Sequence, residues 1–218
     1  MKGHTMGMRK TRGLAISTVA LAALASMSLP SYADDSDPIV EMGTAPPEAP
    51  QETDLTDPIQ GEPNIPDIPP TGKLPSEYCE KTHVYIPTAN LGRKHKGVGA
   101  TQSNYNNGTR VARSTFTSEV TGEVGVNLTA GLSTSVDVMV AKIESKYEVN
   151  LSLKLTAKLG NSISVDTPAK KTTNAKYGVF RLKNTGTSYV IYSNCQTSAK
   201  KTITSYTPWR VGWYLWEE

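Results

Sequence analysis

Two long runs of alternating apolar and polar residues constrain the fold of this chain more than any other feature. From Val120 to Leu132, the even positions are apolar or small and the odd positions are polar or glycine. From Tyr147 to Leu159, the odd positions carry the apolar residues. A repeat of two places all apolar side chains on one face of an extended strand. Each run therefore predicts an amphipathic β-strand of about 13 residues, well above the usual length of about 5–6.

The segment that links the two runs, residues 133–146, follows a different period. Val136, Val140 and Ile143 recur at spacings of four and three residues, which Tyr147 continues, and this is typical of one helix face. The segment is either one amphipathic helix or a turn region with an apolar tip. The whole region predicts a long amphipathic hairpin with the apolar positions Val120, Val124, Val126, Leu128, Leu132, Val136, Val140, Ile143, Tyr147, Val149, Leu151, Leu153, Leu155 and Leu159.

The alternation is compatible with two roles for this hairpin. A hairpin that inserts into a membrane needs an apolar tip that crosses first, then one face for lipid and one for water. A tilted strand crosses a bilayer in about 9–11 residues, so each run is long enough. In a soluble β-sandwich, the same alternation buries one face of each strand. Periodicity alone leaves both roles open.

The rest of residues 76–218 is also rich in strand signals, and helical periodicity is scarce. Residues 90–108 are rich in Gly, Asn and Lys, which indicates loops with at most a short strand. Strands are indicated where β-branched and aromatic residues cluster between turn residues, at 82–87, 110–119, 177–182, 187–192, 202–206 and 210–216. These signals predict one all-β domain, an elongated antiparallel sheet or sandwich that is large enough for one core.

The N-terminus of the chain predicts export. Residues 1–33 combine a basic start, the apolar stretch Leu14–Met27 and the small-residue ending Ser31-Tyr32-Ala33, which is the pattern of a Sec-type signal peptide. The apolar stretch is shorter than the roughly 20 residues of a membrane-spanning helix. We therefore expect a secreted protein, and the Ala-rich signal is bacterial in style.

Residues 34–75 differ sharply in composition from the domain that follows. They hold ten prolines, ten acidic residues, one basic residue and no aromatic residue. Such a segment cannot bury enough apolar surface to offset the entropy lost on ordering, so we expect it to be disordered with polyproline II character. It is either a spacer or an acidic pro-segment that masks the domain until it is removed.

The two cysteines of the chain, Cys79 and Cys195, both lie in the β domain. In an exported protein they predict one disulfide, with a pair of buried free thiols as the alternative. The bridge would close a loop of more than 100 residues, which is worth roughly 4–5 kcal/mol in the chain-entropy model.

The β domain is basic, with 18 Lys and Arg against 10 Asp and Glu, and this favours anionic partners. Arg93, Lys94 and Lys96 precede a Gly-Val-Gly turn. They are candidates for binding an anion through charge and free backbone amides, and a solvated loop is the alternative.

Three tryptophans make the C-terminal strand aromatic. Because Trp favours membrane interfaces, Trp209, Trp213 and Trp216 are candidates for lipid contact. Core packing of a terminal strand is the alternative. No RNP-like or other nucleic-acid motif accompanies the basic and aromatic residues, so we expect no nucleic-acid partner.

The sequence contains no recognisable catalytic constellation. After the signal peptide only His83 and His95 remain, and nucleophile-elbow, HExxH, phosphate-loop and CxxC motifs are absent. Glu119 and Glu123 share one face of a strand, where solvated acids are the common case. We expect a protein that is not an enzyme and that requires no cofactor and no metal.

Five consecutive features between Ser114 and Leu182 resemble the pore-forming region of the aerolysin and epsilon-toxin superfamily. They are a Thr/Ser lead-in at 114–118, the first alternating run, the apolar tip at 136–143, the second run, and an exit through 162–165 to Pro168. The resemblance covers about a third of the chain. It implies an elongated β fold, oligomerisation, and a hairpin that lines a pore in a target membrane.

The C-terminal run from Tyr206 to Trp213 (YTPWRVGW) also resembles segments of short secreted proteins of actinobacteria. Two departures separate the chain from the toxins: it has no obvious receptor-binding lobe and no clear C-terminal activation peptide. We expect a secreted, membrane-inserting protein. The alternative is a secreted β-sandwich without catalytic activity that binds an anionic cell-wall or surface polymer.

Overall fold

The computed structural model describes residues 38–47, 78–129 and 131–218. These ranges are mostly β-strand with one short helix, so the all-β prediction is confirmed. The signal peptide lies outside them. The elements are β1 Ile39–Gly43, β2 Thr82–Gly97, β3 Gln102–Tyr105, β4 Ala112–Thr117, β5 Gly122–Gly125, β6 Asn127–Leu128, α1 Val136–Tyr147, β7 Lys154–Ala157, β8 Ser162–Thr167, β9 Thr172–Ile191 and β10 Lys201–Glu217.

Three long strands form the centre of the largest sheet, whose order is β1-β10-β9-β2. The central strand β9 has 20 residues and runs antiparallel to both β10 and β2. β3 pairs with the first residues of β9, beyond the end of β2. The register shifts once in β10, between Pro208 and Arg210, and twice in β2. Such irregularities bend a strand and change which residues face each side.

Two small two-stranded sheets, β4–β8 and β5–β7, supply one face of the first core. Phe116, Val124 and Ala157 from these sheets pack against the long sheet. On the long sheet the core residues are Ala175, Tyr177, Val179, Val211, Trp213 and Leu215. The odd-numbered residues of β9 therefore face this core.

The helix α1 supplies the second core. Ser135 caps its N-terminus, with its side chain accepting from the amide of Val138, and Glu148 ends it in the left-handed region at φ 53°. Its residues Met139, Val140 and Ile143 are buried against Tyr85, Leu128, Leu182 and Ile203. Of the two alternatives for residues 133–146, the structure has the helix.

The two cores lie on opposite faces of the long sheet. Val179 belongs to the first core and Leu182 to the second, and an odd and an even position of one regular strand point to opposite sides. The irregularity at Pro208 lets odd-numbered residues of β10 serve both cores, with Ile203 on one side and Val211 on the other. The chain between the small sheets and α1 therefore passes around the β10 edge.

The disulfide prediction is confirmed. Cys79 and Cys195 are bridged with their Cα atoms 5.1 Å apart, across a sequence separation of 116 residues. The amide of Cys79 also donates to the carbonyl of Ser193 at 3.1 Å. The bridge fixes the residues before β2 to the connection between β9 and β10.

Four stretches differ from the sequence-based expectation. The breaks between strands expected at 183–186 and at Pro208 are not found, because these residues continue β9 and β10 as single long strands. Residues 90–97, expected as loops with at most a short strand, belong to β2, because pairing with Gly178–Asn184 of β9 outweighs their weak strand propensity. Residues 39–43 of the acidic segment, expected to be disordered, form β1 parallel to β10. This stretch supplies three apolar side chains, and the β10 edge offers backbone groups for it to pair with. The acidic segment's remaining residues, apart from 38 and 44–47, lie outside the described ranges.

Candidate functional site

The predicted hairpin holds one antiparallel register through both small sheets. In every facing pair of the two sheets the residue numbers add to the same value, so neither arm gains or loses a residue between them. The Cα partners run from Ala112↔Thr167 to Thr117↔Ser162 in the first sheet and from Gly122↔Ala157 to Gly125↔Lys154 in the second. The alignment of the arms is therefore the same on both sides of the gap at residues 118–121.

The gap between the small sheets also keeps this register. The amide of Ser118 donates to the carbonyl of Asn161 at 2.8 Å in this register, and the amide of Gly160, one residue out of it, donates to the carbonyl of Ser118 at 2.8 Å. The Ser118 hydroxyl donates to the carbonyl of Lys158 at 2.9 Å. Side-chain and backbone bonds thus replace a regular ladder where the strands are interrupted.

Beyond the second sheet the two arms part. The amide of Val126 still donates to the carbonyl of Leu153 at 3.0 Å, in the same register. After that, Asn127 and Leu128 pair with β10, and the amide of Ser152 donates to the carbonyl of Pro208 at 2.8 Å. The predicted runs of 13 residues therefore form only short strands here, because the backbone of β10 takes the place of the opposite arm.

The apolar positions of the hairpin fall into three groups. Val124, Leu128, Val140 and Ile143 are buried in the two cores. Val120, Leu153 and Leu159 are exposed, at 42%, 47% and 64%. The others are partly buried against one of the cores: Val126, Leu132, Val136, Tyr147, Val149, Leu151 and Leu155.

The tip of the hairpin is fixed to the long sheet by a few side-chain contacts. The Ser133 hydroxyl lies 2.6 Å from that of Ser188 and donates to the carbonyl of Tyr189 at 3.1 Å. His83 Nδ1 contacts the carbonyl of Ser133, and Lys146 Nζ donates to the carbonyl of Pro87. These contacts and the small apolar core, rather than a continuous strand ladder, hold α1 in place.

Tyr85, which lies beneath α1, shows that the second core excludes water. The Tyr85 hydroxyl donates to Asn184 Oδ1 at 2.9 Å. Burial raises the pKa of Tyr85 to about 12, because the charged phenolate would lose its hydration there. Release of α1 would therefore expose to water an apolar surface that includes Tyr85, Leu182 and Ile203.

The structure does not bring the three basic candidates together as one anion site. Arg93 and Lys94 are neighbours on β2, so their side chains point to opposite faces, and Lys96 shares the face of Lys94. The Arg93 guanidinium carbon lies 4.7 Å from the ring centroid of Trp209, and its Nη2 lies 2.9 Å from Glu41 Oε1. Arg93 therefore connects β2 to β1.

The three tryptophans do not form one surface patch. Trp213 is buried in the first core, where its Nε1 donates to Asn161 Oδ1 at 2.8 Å. Trp216 is buried on the opposite face of β10, and its Nε1 donates to Glu218. Trp209 is half-buried at the strand irregularity, under Arg93. Trp213 and Trp216 are therefore packed in the interior, as the alternative to lipid contact predicted.

Sequence reasoning missed the burial of His95, which its basic neighbours disguise. The imidazole packs 4.7 Å from Phe180 and 5.7 Å from Tyr214, measured between ring centroids, and its Nε2 lies 3.4 Å from the carbonyl of Gly212. Burial lowers the pKa of His95 from 6.5 to about 4, and Lys176 and Arg181 add to the effect. Its alternation with Lys94 and Lys96 was the signal that could have indicated an inward position.

Within the described ranges, no helix is both long and apolar enough to cross a membrane. Over the same residues, no three His, Cys, Asp or Glu side chains come together as metal ligands.

Comparisons with known proteins identify no family for this chain. No family model matches it, and no curated protein matches it. Among solved structures it is similar to the crystal structure of a lamprey immune protein, at a TM-score of 0.27 and 11% identity, over 65% of this chain and 54% of that one. The chain thus spans about half the length of that protein, and a likeness of this size supports no conclusion about fold or function.

Proposed function

We propose that this protein is secreted, assembles into an oligomer, and inserts residues 120–159 into a target membrane as an extended hairpin that lines a pore. The shared register of the small sheets is the observation that supports this proposal best. Continued past Val126 and Leu153 without a shift, it places every remaining apolar residue of the first arm opposite an apolar residue of the second. These pairs are Leu128 with Leu151, Ala130 with Val149, Leu132 with Tyr147, Val136 with Ile143, and Val138 with Ala141.

The other face of the extended hairpin is polar in the same register. Asn127 would face Ser152, Thr129 would face Asn150, and Asp137 would face Lys142. On the apolar face, Thr134 with Ser145 is the one polar pair. Separate apolar and polar faces are what strands between lipid and water require. In the docked state the apolar residues of both arms pack into the second core, and the proposal is supported by the fact that their apolar faces also match in the continued register.

The dimensions of the hairpin fit a bilayer. The nineteen residues from Val120 to Val138 extend about 63 Å at about 3.3 Å per residue, and a tilt of about 45° reduces this to about 44 Å. A bilayer is about 40–45 Å thick with its headgroup regions included. The continued register leaves Met139 and Val140 in the turn, so the end that crosses first is apolar.

The backbone of the inserted segment exchanges its hydrogen-bond partners in this transition. Backbone groups in lipid must be satisfied within the protein. Residues 127–129 now bond to β10, and α1 satisfies its own backbone. In the extended hairpin each arm would pair with the other arm on one side and with the hairpin of a neighbouring copy on the other. The proposed protein is not an enzyme, and its partners are a membrane and further copies of itself.

A disulfide that fixes the tip to the long sheet tests this proposal. In Ser133→Cys/Ser188→Cys the two sulfurs replace hydroxyl oxygens that are 2.6 Å apart. We expect the oxidised variant to release no dye from liposomes, and the reduced variant to match the reduced wild type. The reduced wild type is needed because Cys79–Cys195 is reduced as well. Ser133→Cys alone controls for the lost hydroxyl.

Equal dye release from the oxidised double variant would overturn the proposal. Both anionic and neutral liposomes are needed, because the β domain is basic. If the wild type releases dye from neither lipid but binds purified cell wall in a salt-sensitive manner, the polymer-binding alternative replaces the pore.

A further inference from the structure

The outer edge of β10 is covered by two short segments from elsewhere in the chain. β1 pairs with Gly212–Trp216, and β6 pairs with Ser205 and Tyr206. β1 contributes five residues and β6 two. β10 itself has 17 residues, and such an edge is a template for another strand. The two covers are short and therefore displaceable.

We propose that the β10 edge is the surface through which copies of this chain associate, and that it receives the outer edge of β2 from a neighbouring copy. This inference rests on the proposed function, because it supplies the assembly step. β1 and β6 leave the edge when the neighbour binds.

The direction of β1 supports this choice of partner. β9 is antiparallel to both β10 and β2, so β10 and β2 run in the same direction. In a ring built by rotation about an axis along the strands, the neighbour's β2 therefore lies parallel to β10. β1 already lies parallel to β10. Two β10 edges related by a two-fold axis would pair antiparallel instead.

The second edge of the sheet carries no paired strand in the described residues, and the hairpin tip contacts it through Lys146 and the carbonyl of Pro87. Among the described residues, β2 pairs with β9 alone, so its outer side meets no strand of residues 38–47, 78–129 or 131–218. Arg93 of β2 forms its ion pair with Glu41 of β1. β1 therefore bonds to the backbone of the β10 edge and to the Arg93 side chain of the β2 strand. When β1 leaves, both contacts are released.

β6 couples assembly to the hairpin. Asn127 and Leu128 belong to the segment that the proposed function inserts, and they occupy Ser205 and Tyr206 on the β10 edge. A neighbouring strand that extends along this edge takes those positions from β6. Association of copies therefore favours release of the hairpin over its docked state.

The test loosens β1 in the full chain. In a strand, the amides of adjacent residues point to opposite sides, so either the amide of residue 40 or that of residue 41 faces β10. The double substitution Val40→Pro/Glu41→Pro removes both amides and so removes the one that bonds to β10. Val40 is 49% exposed and lies in neither core, so the domain keeps its fold. The matched control, Asp54→Pro/Leu55→Pro, places two prolines elsewhere in the acidic segment.

Light scattering in solution then gives the mass without any membrane. We expect the wild type and the control to be monomers. We expect the Val40→Pro/Glu41→Pro variant to rise in mass roughly three-fold or more, since about three copies form the smallest head-to-tail ring. A monomeric variant would overturn the inference. Assembly without dye release would leave the interface standing and refute the membrane insertion.

A locked copy identifies the partner edge. Glu41→Cys/Tyr214→Cys joins facing Cα partners of β1 and β10 and closes the β10 edge, while the β2 edge stays open. Labelled locked copies, mixed with the loosened variant, should enter its assemblies and lower their mean mass, because each ends the growing row. Locked copies that remain entirely monomeric in the mixture would exclude β2 as the partner.

Discussion

The hydroxyl of buried Ser118 donates to the carbonyl of Lys158 at 2.9 Å and accepts from the amide of Asn161 at 3.0 Å. One small side chain thus joins both arms of the hairpin where neither arm is a strand. The carbonyl and amide that it satisfies lie in the turn-like stretch before β8. The Ser118 hydroxyl therefore links the two arms within the gap between the small sheets.

Ser118→Ala should lower the free energy of unfolding by about 0.5–1.5 kcal/mol, because a carbonyl and an amide that are partly buried lose their partner. Urea unfolding of the two proteins measures the difference. Thr115→Ala is the matched control, since its hydroxyl also bridges the arms, to Ser164 at 2.8 Å, but is exposed. A similar loss in both variants would contradict the role given to Ser118.

Acid should destabilise the fold through His95. Its pKa in the folded state is lowered to about 4, from 6.5. The unfolded chain therefore binds this proton first, and stability falls as the pH drops from about 6.5 to about 4. The loss totals about 3 kcal/mol, since one pKa unit corresponds to about 1.4 kcal/mol.

The measurement is urea unfolding at several pH values from 7 to 4, for the wild type and His95→Gln. Other groups that titrate in this range contribute equally to both proteins, so the difference between the curves isolates His95. A constant difference across the range would show that the imidazole stays accessible to protons in the folded state.

Leu153→Glu should separate folding from membrane insertion. Leu153 is 47% exposed here, so the change should alter the free energy of unfolding by only about 0.5 kcal/mol. In the inserted hairpin the same side chain faces lipid, where a carboxylate costs less than the roughly 2–4 kcal/mol of Lys or Arg but still opposes insertion, so dye release should fall several-fold.

Asn150→Asp is the control for this charge. Asn150 is exposed and lies on the polar face of the extended hairpin, so dye release should persist. Equal loss of release in both variants would mean that added negative charge, and not the lipid face, is responsible.

Glu41→Gln should loosen β1 while leaving the domain intact. The Arg93–Glu41 pair is partly exposed, at 49% and 30%, and such pairs contribute roughly 0.2–1 kcal/mol. Hydrogen exchange of the β1 amides should accelerate roughly two- to five-fold, with exchange in β9 unchanged. Glu123→Gln removes the comparable exposed pair with Lys154 and should not affect β1.

The alternation around Val124 and Leu155 predicted both strands and the faces that they bury. A period of two residues marks one face of a strand, whichever element packs against it. The spacing of Val136, Val140 and Ile143 indicated the helix as one of two alternatives, and the expected export predicted the disulfide. These are local or covalent properties, and sequence carries them directly.

Other features depend on a distant partner, and the sequence alone could not reveal them. Residues 93–97 form strand because β9 lies beside them, and β1 exists because β10 has an open edge. The arms part after Val126 because β10 competes for their backbone. The separation of Arg93 from Lys94 follows from strand geometry, which a loop prediction had concealed.

The docked hairpin is wrapped around the β10 edge of the sheet, with its base on one side and α1 on the other. To unwrap, residues 127–133 must pass over the rim that β10 forms. Once a neighbour's strand is hydrogen-bonded to that rim, it sterically blocks the return of residues 127–133 and α1 to their docked position, even if α1 binds that position tightly. Release of the hairpin would therefore become irreversible once a neighbouring copy has bound to β10.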